Sequence, residues 1–453
     1  MEAKLLEIVA TVNSYLTDYV LIFLLVATGL FFSFKTRFVQ VRCFGEGMKK
    51  VFGNIKLRGG KNESGLSSFQ ALATAIAAQV GTGNIVGASG AILVGGPGAI
   101  FWMWIIAFLG MATIYAEATL AQETKVVDEN GEVHGGPVYY IKKAFSGGFG
   151  KFLSVFFSIA AILALGFMGS MVQSNSIAES CNTAFGIPTW VTGLVVAAIA
   201  AFIFIGGIQR IASVTEKLVP IMASLFLIGG LVILVVNIKV VPQTFGMIFK
   251  YAFTPEAILG GTFGAALKTA ISQGAKRGLF SNEAGMGSTP HAHAQANVAK
   301  PHDQGVVAMI GVFIDTFVVL TMTALVVIST LYANGSTAWQ DVTKTNAMQT
   351  AAGTVFGTSF GSIFVAICLF FFAFSTVLSW NFFGKVNVQY LFNNKKWATV
   401  AYSVIAVGFI FLGSILQNDL VWELTDFFNY LMVLPNVIAL WALYKLVAKN
   451  AKK

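Results

Sequence analysis

Apolar windows about twenty residues long recur along the whole chain, more than any soluble domain could bury. A bilayer core about 30 Å thick is crossed by roughly 20 apolar residues in a helix. Within lipid the backbone must satisfy its own hydrogen bonds, which leaves helices or closed barrels. Windows of that length fall at 15–34, 66–94, 97–121, 152–179, 188–207, 215–238, 258–287, 305–332, 354–381, 397–415 and 419–446. Only 11% of the residues are charged and 56% are hydrophobic. The expected class is an all-α polytopic membrane protein with about eleven spanning helices, embedded in a lipid bilayer.

The first window is preceded by Glu2, Lys4, Glu7 and Asp18, and no small-residue cleavage site follows it. It reads as a spanning helix and not as a signal peptide. The net charge of +9 reports topology rather than a nucleic-acid partner, because the charges are spread over the loops. The densest block is Lys35, Arg37, Arg42, Lys49, Lys50, Lys56, Arg58 and Lys61. Under the positive-inside rule it puts the N-terminus outside and the C-terminus in the cytoplasm of a plasma-membrane protein. Cys43, Cys181 and Cys368 are far apart and define neither a disulfide framework nor a metal site. The loops are too short for a domain with its own core. One of them, Val126 to Pro137, reads as a hairpin through its NG and GGP turns, with His134 facing solvent.

Helices two to six and seven to eleven form two groups of five. An odd number per group makes the second enter the membrane from the opposite side, the arithmetic of an inverted repeat. The expected division is 1–65 for an extra N-terminal helix and basic loop, 66–240 for the first repeat, and 256–453 for the second repeat and tail. ALATAIAAQVG (Ala71 to Gly81) is echoed by ALKTAISQG (Ala266 to Gly274). Both copies then run into glycine: Gly81, Gly83 and Gly87 in the first, Gly274, Gly278, Gly285 and Gly287 in the second. Glycine costs a helix about 1 kcal/mol relative to alanine. Non-helical backbone at membrane depth survives only where protein or a wet cavity satisfies it, so paired interruptions point to a transporter's binding site.

The stretch GTGNIVG has a plainer reading, a small-residue seam between Gly83 and Gly87, which leaves the polar groups of Thr82 and Asn84 unexplained. Its spacing and the spanning helix before it exclude a dinucleotide fingerprint. A break here would expose N–H groups near Gly83, Asn84 and Ile85 to an anionic group such as a carboxylate. Free carbonyls near Gln79 and Val80 would suit an ammonium or a sodium ion.

GGPGAIFWMWIIAFLG (Gly95 to Gly110) resembles the signature of the alanine or glycine:cation symporter family. GTGNIVG, FMGSMVQSNS (Phe167 to Ser176) and RGLFSNEAGMGSTPHAHA (Arg277 to Ala294) resemble its other characteristic stretches. The resemblance implies a LeuT-like five-plus-five inverted repeat with one extra N-terminal helix, and sodium-coupled uptake of alanine or glycine. Gln79 departs from the smaller or basic residues expected at its position. In the implied fold Gly166, Phe167 and Met168 line the pocket and limit side-chain size. Ser375 and Thr376, with carbonyls of Val80 and Gly83, hold Na+. The substrate set is completed by Gly81, Thr82, Asn84, Gln273, Gly274 and Trp380. Packing is the plain alternative for each of these.

Glu117 is expected to pair with an inside basic residue or to reach the interface, and Asp315 to pair with Lys268, Lys276 or Arg277. His291 and His293, two apart on a helix, read as structural. No catalytic set is visible, so an enzyme is not expected. Proton coupling in the same fold is the alternative to sodium. It needs a titrating group at the site, and the sequence places no carboxylate in either break. The chain is expected to act as a monomer.

Overall fold

The computed structural model describes residues 2–53, 66–129, 131–255 and 260–452. Lys56, Arg58 and Lys61 of the basic block, Asn130 of the loop turn, and the boundaries drawn at residues 65 and 256 lie outside the described residues.

The helices follow the apolar windows in order. Helix α1 (Glu2–Lys35) leads to a short amphipathic α2 (Phe44–Phe52). Next come α3 (Ser68–Gln79) and α4 (Gly83–Gly95), then α5 (Ala99–Thr124). A hairpin pairing Val126 with His134 and α6 (Pro137–Ala144) precede α7 (Gly147–Phe185), α8 (Thr189–Phe204) and α9 (Gly207–Val236). The surface helix α10 (Val241–Phe253) leads to α11 (Phe263–Asn282) and the five-residue α12 (Pro290–Ala294). The rest are α13 (Pro301–Gly335), α14 (Ala347–Phe356), α15 (Thr358–Leu391), α16 (Lys396–Gly413), α17 (Asn418–Ala442) and α18 (Tyr444–Asn450).

Among the described residues, eight helices are long and apolar enough to cross a membrane, nine if α3 and α4 form one bent span. Two of the expected eleven fall short of that test. Helix α8 has only 16 residues, and α11 carries Lys268, Lys276 and Arg277 along its length. Large apolar side chains such as Phe23, Phe202, Ile205, Val235 and Val404 lie on the outside of the bundle, where lipid would cover them.

Local chemistry sets the ends that matter for the site. Ser67 and Gln70 form a reciprocal capping box at the start of α3, each bond 3.1 Å, satisfying two free N–H groups. Gly96 turns the chain from α4 into α5 with φ of +72°, a region glycine enters freely. The tryptophans of FWMW pack and bond between helices: Trp102 Nε1 donates to Ala252 O at 3.1 Å and Trp104 Nε1 to Thr321 Oγ1 at 2.9 Å. Helix α5 forms the centre of one side, covered by α1, α11 and α13, while α15 packs against α3, α7, α9 and α14. The hairpin is closed by His134 Nε2 against Asp128 Oδ2 at 3.0 Å.

Candidate functional site

The first interruption falls at 80–82, where the axes of α3 and α4 differ by 44°. Val80 N–H still closes the last turn of α3 on Ile76 O at 2.7 Å. The next two amides leave the helix: Gly81 N–H donates to Asn84 Oδ1 at 2.9 Å and Thr82 N–H to Gln173 Oε1 on α7 at 3.1 Å. Asn84 N–H turns back to Gly81 O at 3.2 Å. The amides of Gly81 and Thr82 are thus held by side chains at the break, and α4 opens beyond them with a π turn over Gly83–Gly87. Thr82 Oγ1, Gln173 Nε2 and Gln79 Oε1 are buried and have no protein partner among the described residues. Such atoms cost about 1–3 kcal/mol each until paired, so this is where a polar ligand gains most.

Beside the break lies a cluster of oxygens. Thr376 Oγ1 is 2.9 Å from Ala77 O, 3.3 Å from Ala78 O and 3.1 Å from Phe372 O. Ser375 Oγ is 3.3 Å from Ala77 O and 2.9 Å from Phe372 O. Two hydroxyls and three carbonyls make a set of hard ligands for a hard cation. Each hydroxyl can keep donating to Phe372 O while a lone pair turns to an ion. The hydroxyls meet α3 at Ala77 and Ala78, one turn before Val80. Gly83 lies on another face, where an added Cβ would be 3.1 Å from Phe280 Cδ1 and from Ser281 Cα. A Cβ on Gly81 would collide with Thr376 Oγ1. Neither glycine has a positive φ, so close approach is what Gly81 provides.

The second interruption begins after Asn282. Glu283 is left-handed at φ of 59°, followed by Gly285 at 97° and Gly287 at 78°. Glu117 on α5 accepts from Gly285 N–H at 3.1 Å, Gly287 N–H at 3.0 Å and Asn436 Nδ2 at 2.6 Å. It holds the broken backbone and does not pair with a basic residue as expected from the sequence. Glu283 accepts from Ser288 Oγ, and from Trp380 Nε1 at 2.5 Å. Gln79 Nε2 donates to Asn282 O at 2.8 Å, which links the two breaks.

Asp315 also departs from expectation. Its carboxylate accepts from Asn84 Nδ2 at 2.7 Å, Ser281 Oγ at 2.9 Å and Thr316 Oγ1 at 2.8 Å. The cations proposed for it are taken elsewhere. Lys276 is 2.9 Å from Glu423 and 3.0 Å from Asp426, Arg277 is 3.1 Å from Asp426, and Lys268 is 2.8 Å from Asp18. The expectation that no carboxylate sits in either break is corrected: Glu283 lies in the second, and Asp315 touches Asn84 at the first.

Of the residues singled out in the sequence, the structure brings Gln79, Val80, Gly81, Thr82, Asn84, Trp380, Ser375 and Thr376 to the breaks or the oxygen cluster. Gln273 and Gly274 stay inside α11, where an added Cβ on Gly274 would lie 2.6 Å from Trp102 Cβ and the Gln273 side chain meets Gly95. Phe167 stacks on Phe409 of α16 at 4.8 Å and lies tilted against Tyr402 at 5.6 Å, and Gly166 abuts Tyr402. Met168 is half-buried beside the core. The face of α7 that meets the breaks is instead Gly169, against Trp380, and Gln173. Residues 162–169 of α7 are π-helical, and the wider turn shifts the register from the α-helical spacing. His291 and His293 are buried with partners: His291 Nε2 lies 2.9 Å from Asn387 Nδ2 and His293 Nδ1 2.8 Å from Gln304 Nε2.

A bundle of membrane-length helices with two central interruptions and an oxygen cluster beside the first is the architecture of a LeuT-like secondary transporter. The solved structure of MhsT in complex with L-phenylalanine shares this fold, with a TM-score of 0.61 over 86% of this chain and 97% of that one at 14% identity. The chain belongs to the sodium:alanine symporter family, whose family model matches residues 2–453. It is 41% identical to the sodium/alanine symporter AgcS of Methanococcus maripaludis, over 98% of this chain and 96% of that protein. It is 40% identical to the putative sodium/proton-dependent alanine carrier YrbD of Bacillus subtilis, over 97% and 90%. The probable sodium/glutamine symporter GlnT of the same organism is 37% identical over 99% and 90%.

Proposed function

We propose that this protein couples inward sodium flow to the uptake of a small neutral amino acid, alanine or glycine, by alternating access. The observation that carries the reading is the oxygen cluster of Ser375, Thr376, Ala77, Ala78 and Phe372 set directly against the first break. Hydroxyl and carbonyl oxygens about 3 Å apart can surround an ion bound at roughly 2.3–2.6 Å. The amides of Gly81 and Thr82, at the positive end of α4, would take the substrate carboxylate in place of the side-chain oxygens they now hold. Carbonyls ending α3 and the carboxylates Glu283 and Asp315 supply the complementary side for the ammonium. Sodium and substrate would then bind on either side of one bend, so each stabilises the geometry the other needs.

The names of AgcS and YrbD support alanine and sodium. The two groups 66–240 and 256–453, each opening on a broken helix, are read as inverted repeats acting as a monomer in the plasma membrane. The basic block faces the cytoplasm and the N-terminus lies outside. The test is alanine binding to purified protein in detergent. Binding should rise with sodium in the parent protein and need far more sodium in Thr376→Ala. Sodium-independent binding in the parent protein would overturn the reading.

One observation favours a second reading. Glu283 and Asp315 are both buried at the breaks, which supplies the titrating group that proton coupling needs, and YrbD is named for both ions. Asp315→Asn should weaken alanine binding in either case, but the uptake that remains should keep its sodium dependence if sodium alone is coupled and lose any proton-driven component if protons contribute.

A further inference from the structure

Away from the transport site, three side chains with metal-ligand chemistry converge where the segment after α1 meets the start of α13. Cys43 and Glu46 sit one helical turn apart at the beginning of α2, and His302 is the second residue of α13. Their ligand atoms all lie within 4.8 Å of one another. Cys43 is 4% exposed and His302 2% exposed, so sulfur and imidazole are held in protein while Glu46 closes the set from the solvent side.

One pair of the three already stands at the spacing of a coordination sphere. In a tetrahedral zinc site with bonds of about 2.0–2.3 Å, neighbouring ligand atoms are roughly 3.3–3.7 Å apart. His302 Nε2 and Glu46 Oε2 stand at 3.4 Å. That separation is long for a hydrogen bond and right for two ligands of one ion. Glu46 is not strongly claimed by another group: Lys50 is 3.8 Å from it and closer, at 3.1 Å, to Asp303. The Cys43 thiol has no hydrogen-bond partner among the described residues, and burial holds its pKa above the ordinary value.

The other imidazole nitrogen is provided for. Tyr115 Oη on α5 lies 2.7 Å from His302 Nδ1. An imidazole that binds metal through Nε2 carries its proton on Nδ1 and needs an acceptor there, which fixes both tautomer and ring plane. The phenolic oxygen fills that role. Counting cysteines against one another, which defines neither a disulfide framework nor a metal site, leaves Glu46 and His302 out of the reckoning.

We propose that Cys43, Glu46 and His302 form a binding site for a divalent transition ion of the zinc class, with the fourth position open to solvent. Thiolate, imidazole and one carboxylate are the ligand types zinc prefers over magnesium or calcium. Binding displaces the thiol proton, so affinity rises with pH. The ion fastens α2 to α13, with Glu46 and His302 256 residues apart in the chain, at the end of the bundle opposite the Lys276–Asp426 ion pairs.

The test uses the full-length protein purified in detergent, stripped with chelator, equilibrated with zinc and desalted. The parent protein should retain about one zinc per chain and should melt at a higher temperature with zinc than without. Cys43→Ser and Glu46→Gln, both conservative in volume, should keep the metal-free melting temperature and lose most of the retained zinc. Cobalt in place of zinc should give the visible absorption of a tetrahedral thiolate complex in the parent protein and not in Cys43→Ser. The proposal is overturned if the parent retains no more zinc than Cys43→Ser, or if cobalt bound to it shows no thiolate band.

Discussion

Thr376 is the residue on which the ion site turns. Its hydroxyl lies within 3.3 Å of three carbonyls from two helices, and removing it takes one ligand from the set. A hydrogen bond or ligand to a charged group is worth about 1.5–3 kcal/mol, which is roughly tenfold or more in affinity. Thr376→Ala should raise the sodium half-saturation of alanine binding by about that factor, with Ser375→Ala smaller because its contacts are longer. Equal sodium dependence in the parent and both variants would remove these hydroxyls from the site.

Gly81→Ala should fold yet bind neither ion nor alanine, since its methyl would press on Thr376 Oγ1. Normal binding in that variant would show that the approach of α3 to α15 does not need a glycine. For Phe167 the structure reverses the expectation of the sequence. The ring stacks on α16, so Phe167→Ala should leave the range of transported amino acids unchanged. Acceptance of leucine by that variant would restore Phe167 to the pocket wall.

At the scale of elements, the interruptions are held from outside by side chains of unbroken helices. Glu117 on α5 and Asn436 on α17 bond the backbone of the second break, and Gln173 on α7 bonds the first. Above the site, α11 and α17 are tied by Lys276 and Arg277 to Glu423 and Asp426. Helix α1 joins the same group through Asn13 to Glu423 at 2.6 Å. Asp426 is 1% exposed. Breaking a buried pair strands its partners at a cost of about 3–5 kcal/mol, so Asp426→Asn should lower the melting temperature in detergent by several degrees. A variant that melts with the parent would show the pairs to be solvated.

The glycines and polar residues of GTGNIVG made the first break legible, because each of them is anomalous in a lipid-length helix. The second was placed too early. Gly274 and Gly278 sit within α11 as packing contacts against α5, and nothing in their residue type separates a glycine that packs from one that turns. Gln173, further outward than Phe167 and Met168, reads from the sequence as bonding a neighbouring helix; no spacing shows that its partner is the amide of Thr82 at the break. Glu117 owes its role to the backbone of Gly285 and Gly287, and Asp315 to the side chains of Asn84 and Ser281, groups far away in the chain that no local pattern encodes.

On the scale of the whole molecule, the apolar windows fixed class and element order with little ambiguity, since lipid leaves the backbone few choices. Window length could not show that α8 is short or that α11 carries three cations. The family likeness agrees with the fold and with the oxygen cluster. The direct measurement is accumulation of labelled alanine in proteoliposomes with the internal and external pH equal and the voltage clamped. An inward sodium gradient alone should drive alanine above its external concentration, and Thr376→Ala should need a higher sodium concentration to do so. Accumulation that ignores sodium and follows an imposed proton gradient would contradict sodium coupling.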